Sequence, residues 1–176
     1  MLEKLLHRAV SPIENAQVLD GPAHAAQRVV RRALRQPVDE VLRGEPIGHP
    51  LHPALVAVPI GAWVSASALD LTGGDAAAAR RLVALGCLAA FPTAAAGAAD
   101  WVRTSGASRR VGFVHAGVND AALLLYLASW RARSGGRRLR GALLALAGAG
   151  ALSVGGWLGG HLTYRLGVNV EMGTDG

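Results

Sequence analysis

Residues 141–164 read GALLALAGAGALSVGGWLGGHLTY, 24 positions without one charged side chain. A helix needs about 20 mostly apolar residues to cross a bilayer. Helices of soluble proteins run ~8–20 residues and keep a polar face, which this segment lacks. The same test applied outward finds three more segments. Residues 46–69 are free of charge, as are 82–99, and 111–130 are interrupted only by Asp120. The whole chain has 176 residues, 18 bases against 12 acids, and only 17% charged positions. An ordinary soluble domain carries nearer ~25%. A soluble Ala/Gly-rich bundle and a disordered chain are both poor matches. The fold expected is an all-α membrane protein, a four-transmembrane-helix up-down bundle with spans at about 51–70, 82–100, 111–130 and 141–161.

The connections are short and polar, with Thr72-Gly73-Gly74-Asp75, Thr104-Ser105-Gly106 and Ser134-Gly135-Gly136 as turn signals. Short links force antiparallel neighbours. Trp101, Trp130, Tyr126 and Tyr164 fall near expected span ends, where amphipathic rings settle. Residues 1–45 differ in kind, holding 7 bases and 6 acids. They are read as an amphipathic arm, with short helices at Ala23–Gln36 and Val38–Arg43, lying along the membrane face. The start lacks the apolar core of a signal peptide. Residues 46–170 form the membrane domain and 171–176 a tail. The net charge of +6 is spread through arginines beside span ends, which points to lipid and topology and not to nucleic acid. Cys87 stands alone and packs as a small hydrophobe.

An even number of spans puts both termini on one side, the face where the first span starts. Eight arginines flank that face and seven the other, so the positive-inside rule gives no bias. The charged arm argues for placing the starting face in the cytoplasm. His49 and His52, Asp100, His115 and His161 all arrive at this face, from four different spans. His7 and His24 lie in the arm, which is expected to bring no partner to them. Each of His49 and His52 precedes a proline, so that stretch is expected to be extended, with Pro53 opening the helix. On such a path the two imidazoles lie about 9 Å apart. Asn119 shares a helix face with His115. Asp120, about 7.5 Å deeper, demands a partner, and Asp70 is assigned to Arg80 or Arg81. Gly155/Gly159 and Gly156/Gly160 are Gly-x-x-x-Gly pairs suited to close helix packing within the chain or in a homodimer.

Gly48-His49-Pro50-Leu51-His52-Pro53, Pro59-Ile60-Gly61-Ala62-Trp63 and Leu69-Asp70-Leu71 resemble the DUF2231 family of predicted bacterial membrane proteins. The likeness continues through Gly97-Ala98-Ala99-Asp100-Trp101, Arg110-Val111-Gly112-Phe113-Val114-His115 and Gly159-Gly160-His161-Leu162. It covers about residues 15–170. The resemblance implies a four-helix domain of undefined activity in the bacterial inner (plasma) membrane. Some relatives carry a Rieske-type iron–sulfur domain after the last span; the 176 residues here hold no Cys/His cluster for one. By association, an electron-transfer protein of Rieske type becomes a candidate partner at the starting face.

Three readings of function follow. The first is a haem-b-binding or other redox subunit. His52, His115 and His161 are its candidate ligands with His49 in reserve, Asp100 orients an imidazole, and Arg103, Arg109, Arg110 or Arg165 pair with propionates. The second is a divalent-metal (Zn-like) site of His52, His115, His161 and Asp100. The third is a noncatalytic scaffold or partner subunit in which these groups bond helix ends together. A transporter is disfavoured, because no broken-helix pair is evident.

Overall fold

The computed structural model describes residues 2–169, with side chains described from Ala9 onward. The expected tail at 171–176 and the side chain of His7 lie outside these. Among the described residues all regular structure is helical. The arm holds α1 (Leu2–Asn15), α2 (Asp20–Ala33) and α3 (Val38–Arg43); four long helices follow, α4 (Leu51–Leu71), α5 (Ala76–Trp101), α6 (Gly106–Ser134) and α7 (Arg138–Tyr164). Each long helix is long and apolar enough to cross a membrane, and only 22–33% of its most apolar stretch is buried inside the protein. Most of that apolar surface therefore faces outward; Val64, Leu88, Phe91, Leu124 and Leu146 are all exposed. Lipid is the solvent that tolerates such a surface.

The bundle consists of two like hairpins, α4–α5 and α6–α7. Gly73 and Gly136 turn them with φ of +71° and +73°, a left-handed conformation that costs glycine nothing. The turn hydrogen bonds correspond as well. Thr72 N–H donates to Ala68 and Gly74 N–H to Leu69; Gly135 N–H donates to Arg131 and Arg137 N–H to Ala132. Asp75 caps α5, accepting from Ala77 N–H at 2.8 Å.

Side chains on α4 and α6 meet along the bundle axis in equivalent pairs. Trp63 and Tyr126 stack at 3.9 Å between centroids, 3° from parallel. Toward the turns, Arg133 grips the Asp70 carboxylate with both terminal nitrogens, and its Nε donates to Ser129 Oγ. Asp70 thus pairs across the axis with Arg133, not with the neighbouring Arg80 or Arg81. Tyr126 is 1% exposed, a core residue and not a member of an interfacial belt. Around the stack lie Ala66, Val83, Cys87 and Ala145, and Cys87 fills its place as a small buried apolar group.

The arm packs on the bundle. Helix α1 packs on α6, and Val10 is buried with Val111, Leu158 and Leu162 while Leu166 and Val168 pack beside them. Gln27 Nε2 donates to the carbonyls of Trp101 and Thr104, and Arg31 to that of Val102. These carbonyls belong to the end of α5 and the link after it, where helical partners run out. Helix α2 begins at Asp20 and ends at Ala33, earlier at both ends than expected, and α1 was not foreseen.

Candidate functional site

Helix α4 begins at Leu51, so His52 is already helical and Pro53 sits inside the first turn. The first turn needs no amide hydrogen from Pro53, because early helical N–H groups have no intrahelical acceptor. The bias of a pre-proline residue toward extended backbone is overridden by what His52 gains. Its Nδ1 lies 2.9 Å from the carbonyl oxygen of Thr93 on α5, and its ring lies over Gly97. A Cβ on Gly97 would fall 2.8 Å from that nitrogen.

His115 repeats this arrangement in the second hairpin. Its Nδ1 lies 2.8 Å from the carbonyl oxygen of Gly155 on α7, and a Cβ on Gly159 would fall 3.1 Å from its ring. The two histidines are equivalent positions: His52 precedes Trp63, and His115 precedes Tyr126, by the same 11 residues. The glycines behave alike, since Gly86 lies against Trp63 and Gly148 against Tyr126. A carbonyl only accepts, so in each neutral ring the proton is on Nδ1. The lone pair is then on Nε2, the nitrogen available to a metal or a proton. His52 Nε2 has no partner among the described residues. The Asn119 amide lies nearly equidistant from both ring nitrogens of His115, 3.3 and 3.2 Å, which puts it over the ring face. Its firm bond is to the His115 carbonyl, at 2.9 Å.

The remaining candidates separate from this pair. His161 Nε2 is 2.7 Å from the carboxylate of Glu14, and both side chains are largely buried. His49 is exposed and lines a cleft outside the bundle. Asp100 is buried, no hydrogen bond joins it to a histidine among the described residues, and the Asn169 side chain is its partner. Among the described residues no three His, Cys, Asp or Glu side chains gather as a metal-ion cluster. The divalent-metal set of His52, His115, His161 and Asp100 is accordingly not assembled.

The arginines divide too. Arg109 and Arg110 both bind Asp20 of the arm, at 2.8 and 2.7 Å. Arg110 also donates to the Glu14 carbonyl. These guanidiniums hold the Asp20 carboxyl well below the usual carboxylate range, Arg110 most strongly and Arg109 next. Neither can serve a propionate without releasing the arm. Arg103 and Arg165 are exposed. The arm thus supplies Glu14 to His161 and Asp20 to Arg109 and Arg110. The signal was charge: acids at 14 and 20 opposite an arginine-rich face.

Asp120 is exposed on the outer face of α6, with no hydrogen bond or ion pair among the described residues, so its expected partner is not within this part of the chain. Of the glycine pairs, Gly155 and Gly159 pack against Asn119 and His115, whereas Gly156 faces open space.

A helical bundle with four apolar spans, buried polar pairs on its axis and lipid-compatible flanks defines a multi-pass membrane protein. A family model described as "Predicted membrane protein (DUF2231)" matches residues 48–172. The chain belongs to that family. No curated protein and no solved structure matches it.

Proposed function

We propose that this protein is a haem-b-binding, electron-transferring membrane subunit in which His52 and His115 would hold the iron. One observation carries the reading. Two imidazoles from equivalent places on α4 and α6 are each anchored through Nδ1 to a backbone carbonyl, leaving Nε2 as the basic nitrogen. A hydrogen bond from Nδ1 to a fixed acceptor holds the tautomer and raises the basicity of a metal-ligating histidine. Two imidazole nitrogens are a donor set that suits haem iron, and haem would supply one-electron transfer there. Arg109 and Arg110, committed to Asp20, drop out of the four arginines considered for propionates. The starting face then meets a soluble or membrane-tethered electron-transfer protein, of Rieske type by family association. The membrane is the bacterial plasma membrane, with both termini on its cytoplasmic side.

The experiment is an absorbance spectrum of the full chain purified in detergent from haem-replete cells. A Soret band is expected, lost in His52→Ala and in His115→Ala and kept in His161→Ala and His49→Ala, with helicity as the folding control. A wild type without haem, or loss on His161→Ala with retention on His52→Ala, overturns it. The scaffold reading would then stand, supported by the same two bonds acting as clamps within each hairpin.

A further inference from the structure

A second place at the starting face is lined by neither His52 nor His115. A cleft of about 790 Å³ opens where α4 and α6 begin and α5 ends, lined among others by Arg43, Asp100, Arg103, Ser105 and Ser108. Asp100 is only 8% exposed, and although the Asn169 side chain hydrogen-bonds to its carboxylate, its Oδ2 has no partner of its own among the described residues. A buried carboxylate oxygen without a donor is costly, so a donor-bearing ligand gains what the fold leaves unmade.

The other side of the cleft is suited to an anion. Ser105 is the N-cap of the 29-residue α6, yet its side chain makes no capping bond. The first-turn amides of α6 therefore lack a side-chain acceptor. Beside them stand the Ser108 hydroxyl and the guanidinium of Arg103, whose side chain is 64% exposed and only 3.7 Å from Glu45. Helix amides with an arginine form a ready phosphate site. The charges of the lining balance, Arg43 and Arg103 against Glu45 and Asp100, which favours a zwitterion over a bare anion.

We propose that this cleft binds a phosphoethanolamine group, its primary ammonium on Asp100 and its phosphate on Arg103 and the first turn of α6. The cleft lies at the ends of three membrane spans, the level of lipid headgroups. The same group occurs in a lipid or as a free soluble zwitterion. A quaternary ammonium has no N–H to give Asp100, and that distinction makes the proposal testable.

The test titrates the full-length protein in micelles with phosphatidylethanolamine, phosphatidylcholine and phosphatidylglycerol, read by native mass spectrometry. Phosphatidylethanolamine is expected to bind about tenfold tighter than either, the value of one hydrogen bond to a charged group. Asp100→Asn keeps the shape and should cut that preference to less than about twofold, with helicity unchanged. Arg103→Gln, at an exposed position, should weaken both zwitterionic lipids alike. Free phosphoethanolamine is then added as competitor. Displacement at matched concentration assigns the site to a soluble ligand, and failure to displace assigns it to the lipid. Equal binding of ethanolamine and choline lipids, a preference that survives Asp100→Asn, or binding indifferent to Arg103→Gln overturns the proposal.

Discussion

Hairpin α4–α5 and hairpin α6–α7 agree at some positions and differ at others, and the two sets have different physical meanings. They agree where a ring lies on a neighbouring backbone: His52 and His115, Gly97 and Gly159, Gly86 and Gly148. Those contacts are internal to each hairpin, so each copy must keep them separately. They differ where the copies face each other, with Trp63 stacked on Tyr126 and Asp70 paired with Arg133. Two identical hairpins would set Asp against Asp at that level. Carrying two versions in one chain allows opposite charges to meet on the axis. Both hairpins run the same way, so the pseudo-two-fold axis lies along the bundle, the arrangement of parallel membrane repeats.

The strongest way to break this comparison is at the ion pair. Arg133 and Asp70 have side chains only 3% and 11% exposed. Arg133→Met strips the buried carboxylate of both its hydrogen bonds and leaves it only the half-exposed Arg138 guanidinium, 4.0 Å away, an expected cost of about 3 kcal/mol. Asp70→Asn should also destabilise. The exchanged double variant, Asp70→Arg with Arg133→Asp, should recover about half of the single-variant loss if the axis treats its two sides as equivalent. Reversible unfolding in mixed micelles measures all of these. A loss below about 1 kcal/mol in Arg133→Met, the range of an exposed pair, would remove the pair from the core of the argument.

The glycines sharpen it at a smaller scale. Gly97→Ala places a methyl 2.8 Å from an imidazole nitrogen already held by a hydrogen bond, and Gly159→Ala places one 3.1 Å from the other ring. Overpacking of this kind costs about 1–3 kcal/mol, and Gly97→Ala should be the worse of the two. Gly156→Ala meets open space. It should lie within about 0.5 kcal/mol of wild type or gain slightly from helix propensity. Melting temperatures of the three variants give the order, and a reversed order would show that the hairpins do not hold their histidines in the same way.

The spans and their order were legible because absence of charge over 18 or more residues is a one-dimensional signal. The span end at which each histidine falls needs only chain direction, but which residues each of them meets does not follow from it. The repeat was present as well, in equal spacings from histidine to aromatic residue and from glycine to glycine. It stays hidden in any reading that tests each span by itself. What pairs with what across the axis was not legible. Asp70 lies closer in sequence to Arg80 and Arg81, and only the bundle geometry selects Arg133 at a separation of 63 residues. The depth of Tyr126 was misjudged for a related reason, since α6 runs 29 residues and extends past the apolar window at both ends. The role of the arm was missed because its amphipathic pattern fits a membrane surface and a protein surface equally well.

The smallest effect expected concerns that arm. Asp20 accepts from Arg109 and Arg110, and these bonds, that to Arg110 foremost, depress its carboxyl below the ordinary range. A depressed carboxyl stabilises the docked state at any pH above its ordinary value, near ~3.9, and the contribution is lost as the pH falls through the lowered one. Docking of α2 should therefore be insensitive to pH from neutrality down to the ordinary aspartate range and should loosen below it. Asp20→Asn removes the charge at every pH. Its arm should exchange amide hydrogens faster at neutral pH, most visibly in residues 20–33, while α4 and α7 stay protected. The pH dependence of exchange in α2 should be flatter in the variant than in wild type, and the difference between the two curves isolates this one carboxylate from the neighbouring Glu14–His161 contact. Matching curves for the two proteins would mean that Val10, Gln27 and Arg31 hold the arm without help from Asp20, and that the arm is bound by burial and backbone bonds alone.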